Sequence, residues 1–182
     1  MFKYVIDRDI ELRLLETRHA EELFQLTDSC RGYLKEWLPW VVDSFSYEDT
    51  KSFIDLTMQQ FAANIGFQAG IWYKGEMAGV IGHHRIDWSH KSTTIGYWLG
   101  EKYVGNGIMT KACGAFIDHA LIDLDLNRVE IRCAEKNHKS RAIPERLGFT
   151  KEGIIREAEW LYDHYVDHVV YGMLAKEWKD QE

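Results

Sequence analysis

The sequence predicts a mixed α+β fold: one sheet of about seven strands, flanked by helices and containing a single parallel crossover. Three observations predict it. Thr93 to Leu121 reads as a β-branched and aromatic strand, a glycine turn, and a helical stripe of Ile108, Ala112, Ala115, Phe116 and Ala120. Arg128 to Cys133 then alternates strictly, with Val129, Ile131 and Cys133 on one face and Arg128, Glu130 and Arg132 on the other. A strand, helix and strand in that order form a right-handed crossover with parallel strands. Upstream, the apolar runs Gly66–Tyr73 and Met77–Ile86 meet at Lys74-Gly75, the signal of a hairpin in an antiparallel meander.

The elements follow in chain order. Val5, Ile10, Leu12 and Leu14 fit a first strand. Thr17 is placed to cap a helix in which Ala20, Leu23, Phe24 and Thr27 share a face. The segment from Arg31 to Trp40 is too aromatic for an idle loop and is broken by Pro39. Ser46 and Asp49 have capping-box spacing, and the helix they open is expected to carry Phe53, Ile54, Met58 and Phe61 inward. Trp88 to Ser92 is a polar turn into the central strand. Beyond the crossover, Ser140 to Leu147 reads as a short helix with Pro144 near its first turn, where a missing N–H is tolerated. Gly148 is its left-handed cap. Phe149–Arg156 and His168–Leu174 supply the last two strands. With no repeat, linker or low-complexity segment, residues 1–182 read as one domain.

The whole-chain properties exclude several classes. A hydrophobic fraction of 46% is incompatible with general disorder, and no apolar run reaches membrane-spanning length. The first residues alternate apolar and polar without a signal-peptide core, which leads us to expect a cytoplasmic protein. Cys30, Cys113 and Cys133 lack metal-ligand spacing and are expected to be buried thiols. A formal net charge of −7 argues against a dedicated nucleic-acid binder. Among the eight histidines, His83 and His84 are neighbours in a strand and point to opposite faces. His164 and His168 have zinc-helix spacing in a segment that reads as extended, without the accompanying Glu. No metal is assigned.

The turn Lys102-Tyr103-Val104-Gly105-Asn106-Gly107 carries the functional signal. Its glycines permit left-handed angles and close approach of a ligand, and the helix behind it begins with unpaired N–H groups and a positive dipole end. A phosphate or pyrophosphate is the expected occupant. A Walker loop does not fit, because Ile108 follows Gly107 where Lys is required. A dinucleotide fingerprint lacks its third glycine, Thr110 standing in its place.

The turn instead resembles the acetyl-coenzyme A loop of the GNAT superfamily of N-acetyltransferases. Lys102, Gly105 and Gly107 occupy the three defining positions, Lys102 replacing the usual Gln or Arg. Three further segments resemble the branch that acetylates ribosomal-protein N-termini: Trp37-Leu38-Pro39-Trp40; Asn137 to Arg141 followed by Glu145 to Phe149; and Ile155 to Trp160.

The resemblance implies a splayed parallel strand pair with the thioester in the gap. Backbone around Trp98 and Leu99 would polarise the thioester carbonyl. Main-chain N–H groups from Val104 through Gly105, Asn106, Gly107 and Ile108 to Met109 would hold the pyrophosphate, with Lys102 adding charge. Asn137 would orient the pantetheine arm, Ser140 would protonate the departing thiolate, and Glu159 is the candidate base. Each has an ordinary alternative: a turn residue, a helix N-cap and a solvated carboxylate. Trp37 and Trp40 either wall the acceptor groove or pack a core. The implied function is acetyl transfer from acetyl-coenzyme A to a primary amine, with a ribosomal-protein N-terminus as the candidate acceptor. The alternatives are a small-amine acetyltransferase and a non-catalytic acetyl-coenzyme A sensor. The implied partners are acetyl-coenzyme A and the amine acceptor, with neither nucleic acid nor membrane; a homo-oligomer is left open.

Overall fold

The computed structural model describes residues 3–180. Its strands are β1 (Lys3–Val5), β2 (Ile10–Leu14), β3 (Phe67–Tyr73), β4 (Glu76–Asp87), β5 (Ser92–Leu99), β6 (Arg128–Ala134), β7 (Thr150–Leu161) and β8 (His164–Leu174). They form one sheet in the order β1-β2-β3-β4-β5-β6-β8-β7. Every neighbouring pair is antiparallel except β5 and β6. The helices are α1 (Ala20–Ser29), α2 (Arg31–Leu34), α3 (Tyr47–Ala62), α4 (Ile108–Asp118), α5 (His138–Arg146) and α6 (Ala175–Lys179).

The parallel pair is short. Only Ser92, Thr93 and Thr94 pair with Arg128, Val129 and Glu130, so β5 has no β6 partner from Ile95 onward. This is the splay expected from the resemblance, and it leaves outward backbone groups of β5 open to a ligand. The expected crossover helix buries Ile108, Ala112 and Phe116, together with Met109, Cys113 and Ile117; Ala115 of the expected stripe is only partly buried, and Ala120 is buried in the π-helical turn His119–Asp123 that follows. The hairpin between β3 and β4 turns through Lys74 and Gly75, both with positive φ, as a two-residue turn of matching twist requires. All three cysteines are buried and free.

Several elements differ from the expectation, each for a local reason. The sheet has eight strands because the first one folds back on itself. Asp7 Oδ1 accepts from the N–H groups of Asp9 and Ile10, both at 2.9 Å, and that side-chain turn splits the segment into β1 and β2. The first helix starts beyond Thr17, which lies in a 3₁₀ turn entered from Glu16. The Ser46–Asp49 capping box is present, but α3 buries Thr50, Ile54 and Thr57 instead of its aromatic residues. Phe53, Met58 and Phe61 are exposed. Residues 50, 54 and 57 share a helical stripe, and hydrophobicity alone misassigned the face because two of the three are threonines.

The helix expected to begin at Ser140 begins earlier. Asn137 is its N-cap, with Oδ1 accepting from the Ser140 N–H at 3.2 Å, so Pro144 falls inside α5 and not in its first turn. Gly148 takes the left-handed angle as expected, at φ 76°. The helix α6 after β8 was not anticipated.

Candidate active site

The splay opens into a cavity of roughly 820 Å³. Its walls come from segments distant in sequence: Trp37 and Trp40 from the loop after α2, Tyr97 and Trp98 from β5, Cys133 from β6, Asn137 and Ser140 from α5, and Glu159 and His168 from β7 and β8. Six of the residues singled out in the sequence therefore meet in one place. The indoles of Trp40 and Trp98 lie 5.9 Å apart across the wall. Over that loop, the Tyr162 hydroxyl at the β7–β8 turn donates to the Leu38 carbonyl, so the hairpin tip is fastened to the aromatic segment.

Ser140 Oγ donates to Cys133 Sγ at 3.3 Å, and Tyr97 Oη donates to the Ser140 carbonyl at 3.0 Å. Burial raises the Cys133 thiol and raises the Tyr97 phenol well above its ordinary range. Both are therefore protonated at neutral pH, and this corner of the cavity holds three neutral hydrogen-bonding groups. Tyr97 and Cys133 were not anticipated as site residues. The alternation of β6 gave Cys133 a face but could not show that the strand beside it would splay.

The remaining candidates form a second locus, the turn into α4. Gly105 and Gly107 take φ values of 87° and 71°, and a Cβ on either would meet nothing within 4 Å. The turn thus faces open space. Among the described residues, the N–H groups of Gly105, Asn106, Gly107, Ile108 and Met109 have no hydrogen-bond partner; the first helical bond at this end is Lys111 N–H to the Gly107 carbonyl. Val104 differs from the expectation, because its N–H already donates to the Glu101 carbonyl at 3.3 Å. Ile108 and Met109 bury their side chains and offer backbone only. Lys102 points elsewhere, with Nζ on Glu76 Oε2 at 2.9 Å. Leu99 packs partly buried against the core. One basic group missed in the sequence stands at this end: Arg146 Nη1 donates to Thr110 Oγ1 in the first turn of α4 at 3.4 Å. Its 36-residue separation from Thr110 left no sequence signal.

The left-handed glycine turn with its open N–H groups and the splayed strands are both present. A family model described as the acetyltransferase (GNAT) domain matches residues 9–150. The chain belongs to the GNAT acetyltransferase family. It is 36% identical to YdaF of Bacillus subtilis (strain 168), over 100% of both chains. It is 31% identical to the ribosomal-protein-serine acetyltransferase of Escherichia coli (strain K12), over 93% of this chain and 94% of that one. Among solved structures it resembles RimL, a ribosomal L7/L12 α-N-protein acetyltransferase, in complex with coenzyme A bound as a disulfide to a cysteine. The TM-score there is 0.92 at 29% identity, covering 96% of this chain and 99% of that one. This GNAT acetyltransferase is an enzyme that uses acetyl-coenzyme A to acetylate an amine. None of its helices within residues 3–180 is long and apolar enough to cross a membrane.

Proposed function

We propose that the enzyme acetylates the N-terminal amine of a ribosomal protein, and that residues 1–182 form the single domain that does so. The carrying observation is that Ser140 and Glu159, the two candidate proton-handling groups, line one cavity walled by Trp37 and Trp40. Its resemblance to two acetyltransferases of ribosomal proteins supplies the acceptor class. An acceptor on the ribosome would place the enzyme in the cytoplasm.

In this reading the pyrophosphate of acetyl-coenzyme A takes the free N–H groups from Gly105 to Met109 and the dipole of α4. Arg146 is placed to add the positive charge that Lys102, held by Glu76, does not direct there. Asn137 has its Oδ1 committed to the α5 cap, so its Nδ2 group is what remains for the pantetheine arm. Unpaired β5 backbone near Trp98 polarises the thioester carbonyl.

The acceptor enters between the tryptophans as an ammonium and loses a proton to Glu159, directly or through water. Its lone pair forms the N–C bond as the C–S bond breaks, the electron pair leaves on sulfur, and the nitrogen releases its second proton, which balances the one the thiolate takes up. Ser140 Oγ–H, which rests on Cys133 Sγ, turns from that thiol to the departing sulfur.

The test is intact-mass and fragment mass spectrometry of free ribosomal proteins incubated with enzyme and acetyl-coenzyme A. One protein is expected to gain a single acetyl group on its N-terminal amine. Turnover confined to lysine side chains or to small amines would overturn the proposal.

A further inference from the structure

Glu159 does not reach the cavity by regular strand geometry. Ile155 of β7 pairs with His168 of β8, but Glu159 pairs with Val166, so β7 takes four steps where β8 takes two. A regular register would set Glu159 opposite His164, farther out along the hairpin. The extra residues loop out at Glu157, which has a left-handed φ of 48°. That loop is fastened by Asp167, whose Oδ1 accepts from the Glu157 N–H at 2.7 Å. Such a bulge draws the strand back and re-aims a side chain. Here it makes Glu159 the diagonal neighbour of His168, and His168 Nε2 lies 3.2 Å from Glu159 Oε2.

This contact is the only side-chain hydrogen bond of Glu159 among the described residues. Arg132, which also lines the cavity, is paired with Glu130 at 2.5 Å. The His168 side chain is 18% exposed and that of Glu159 is 31% exposed, so the pair sits at the cavity edge. One carboxylate oxygen is engaged and the other is open.

Resting on the reading of Glu159 as the base, we infer that His168 is its positioning residue. His168 Nε2–H donates to Oε2 and holds the carboxylate in the rotamer that presents Oε1 to the acceptor ammonium. Without that bond the carboxylate swings to solvent, and fewer encounters place it within reach of the proton. The inference assigns to β8 a catalytic support that neither the glycine turn nor the aromatic segment provides.

The experiment is a double-mutant cycle with Glu159→Gln, His168→Ala, His168→Gln and the Glu159→Gln/His168→Ala pair. It reads kcat, the KM for acetyl-coenzyme A and the melting temperature, with the N-terminal peptide of the acceptor. His168→Ala is expected to lower kcat about tenfold, toward the low end of acid–base contributions, with little change in KM for acetyl-coenzyme A. His168→Gln, whose amide can reach the same oxygen, is expected to recover most of that loss. In the Glu159→Gln background, His168→Ala is expected to cost nothing further. An equal loss in both backgrounds, or no rescue by glutamine, overturns the inference and leaves Glu159 as base. If Glu159→Gln itself is fully active, the underlying reading fails instead.

Discussion

Tyr97 supplies the hydrogen bond that Pro144 cannot. In α5 the carbonyl of Ser140 would accept from the N–H of residue 144, but proline has none, and the Tyr97 hydroxyl donates to that carbonyl at 3.0 Å. A helix-breaking residue and a strand phenol are thereby matched across the splay, fixing Ser140 relative to β5. Tyr97→Phe is expected to leave the carbonyl unpaired in a half-buried position and to cost about 1–3 kcal/mol. Pro144→Ala in the same chain restores a donor and is expected to return part of that loss. Urea denaturation of the two single variants and the double variant measures it; simple additivity would mean the two residues are not coupled.

The turn into α4 makes a separate demand. Gly107 faces open space at a left-handed angle, so Gly107→Val strains the backbone and fills the anion site without striking a neighbour. Binding of acetyl-coenzyme A, measured by calorimetry, is expected to be lost while the protein still folds. Wild type should gain about 2.7 kcal/mol of stability at a ligand concentration of 100 times Kd, and the variant should gain none. NAD and ATP are expected to leave the wild-type melting temperature unchanged.

Much of this architecture was legible because it rests on local rules. The strand periods, the capping box at Ser46, the hairpin at Lys74-Gly75 and the glycine turn all act within a few residues. What escaped the sequence depends on distant pairings. The buried face of α3 was misassigned because Thr50 and Thr57 satisfy their hydroxyls on carbonyls of their own helix, at 3.4 Å and 2.9 Å, and so enter the core. Asn137 and Ser140 both have capping side chains, and only the chain path decides which one caps. Tyr97, Cys133 and His168 owe their places on the cavity wall to the splay and the β7 bulge, which no period-two pattern encodes.

Stability should carry the signature of a buried histidine. His83 is 0% exposed, with Nδ1 3.3 Å from Thr93 Oγ1 and Nε2 without a partner among the described residues. Its ring packs on Phe116 at 4.9 Å and Phe67 at 5.3 Å. Burial, with His119 and His84 adding smaller repulsion, pushes its pKa down to about 3. The folded state therefore refuses a proton that the unfolded chain accepts near pH 6.5. The sign follows: the contribution is fully present above pH 6.5 and is lost as the pH falls from there toward 3, at up to about 1.4 kcal/mol per pH unit. His83→Gln removes the titration and is expected to flatten the stability curve between pH 6.5 and 4.5. Denaturant titrations at each pH measure this, and parallel curves for the two proteins would assign the acid loss to other groups.

The two candidate proton handlers make opposite demands, which a pH–rate profile separates. Glu159 must be ionised to take a proton from an ammonium, so Glu159→Gln is expected to slow turnover chiefly at moderate pH. Raising the pH supplies free amine without the carboxylate and should partly restore that variant. Ser140 acts on a thiolate, already a fair leaving group, and Ser140→Ala is expected to lower kcat by about tenfold to a hundredfold across the pH range. The loss should not recover at high pH, because removing the hydroxyl leaves the sulfur without its donor at every pH. Neither change touches the α4 turn, so acetyl-coenzyme A affinity should hold in both, which calorimetry verifies alongside the kinetics. One acceptor is kept throughout, since its own amine sets part of the profile. If Glu159→Gln keeps the wild-type profile, the carboxylate is a solvated side chain at the cavity edge. The base must then be sought elsewhere, and the role of His168 falls with it.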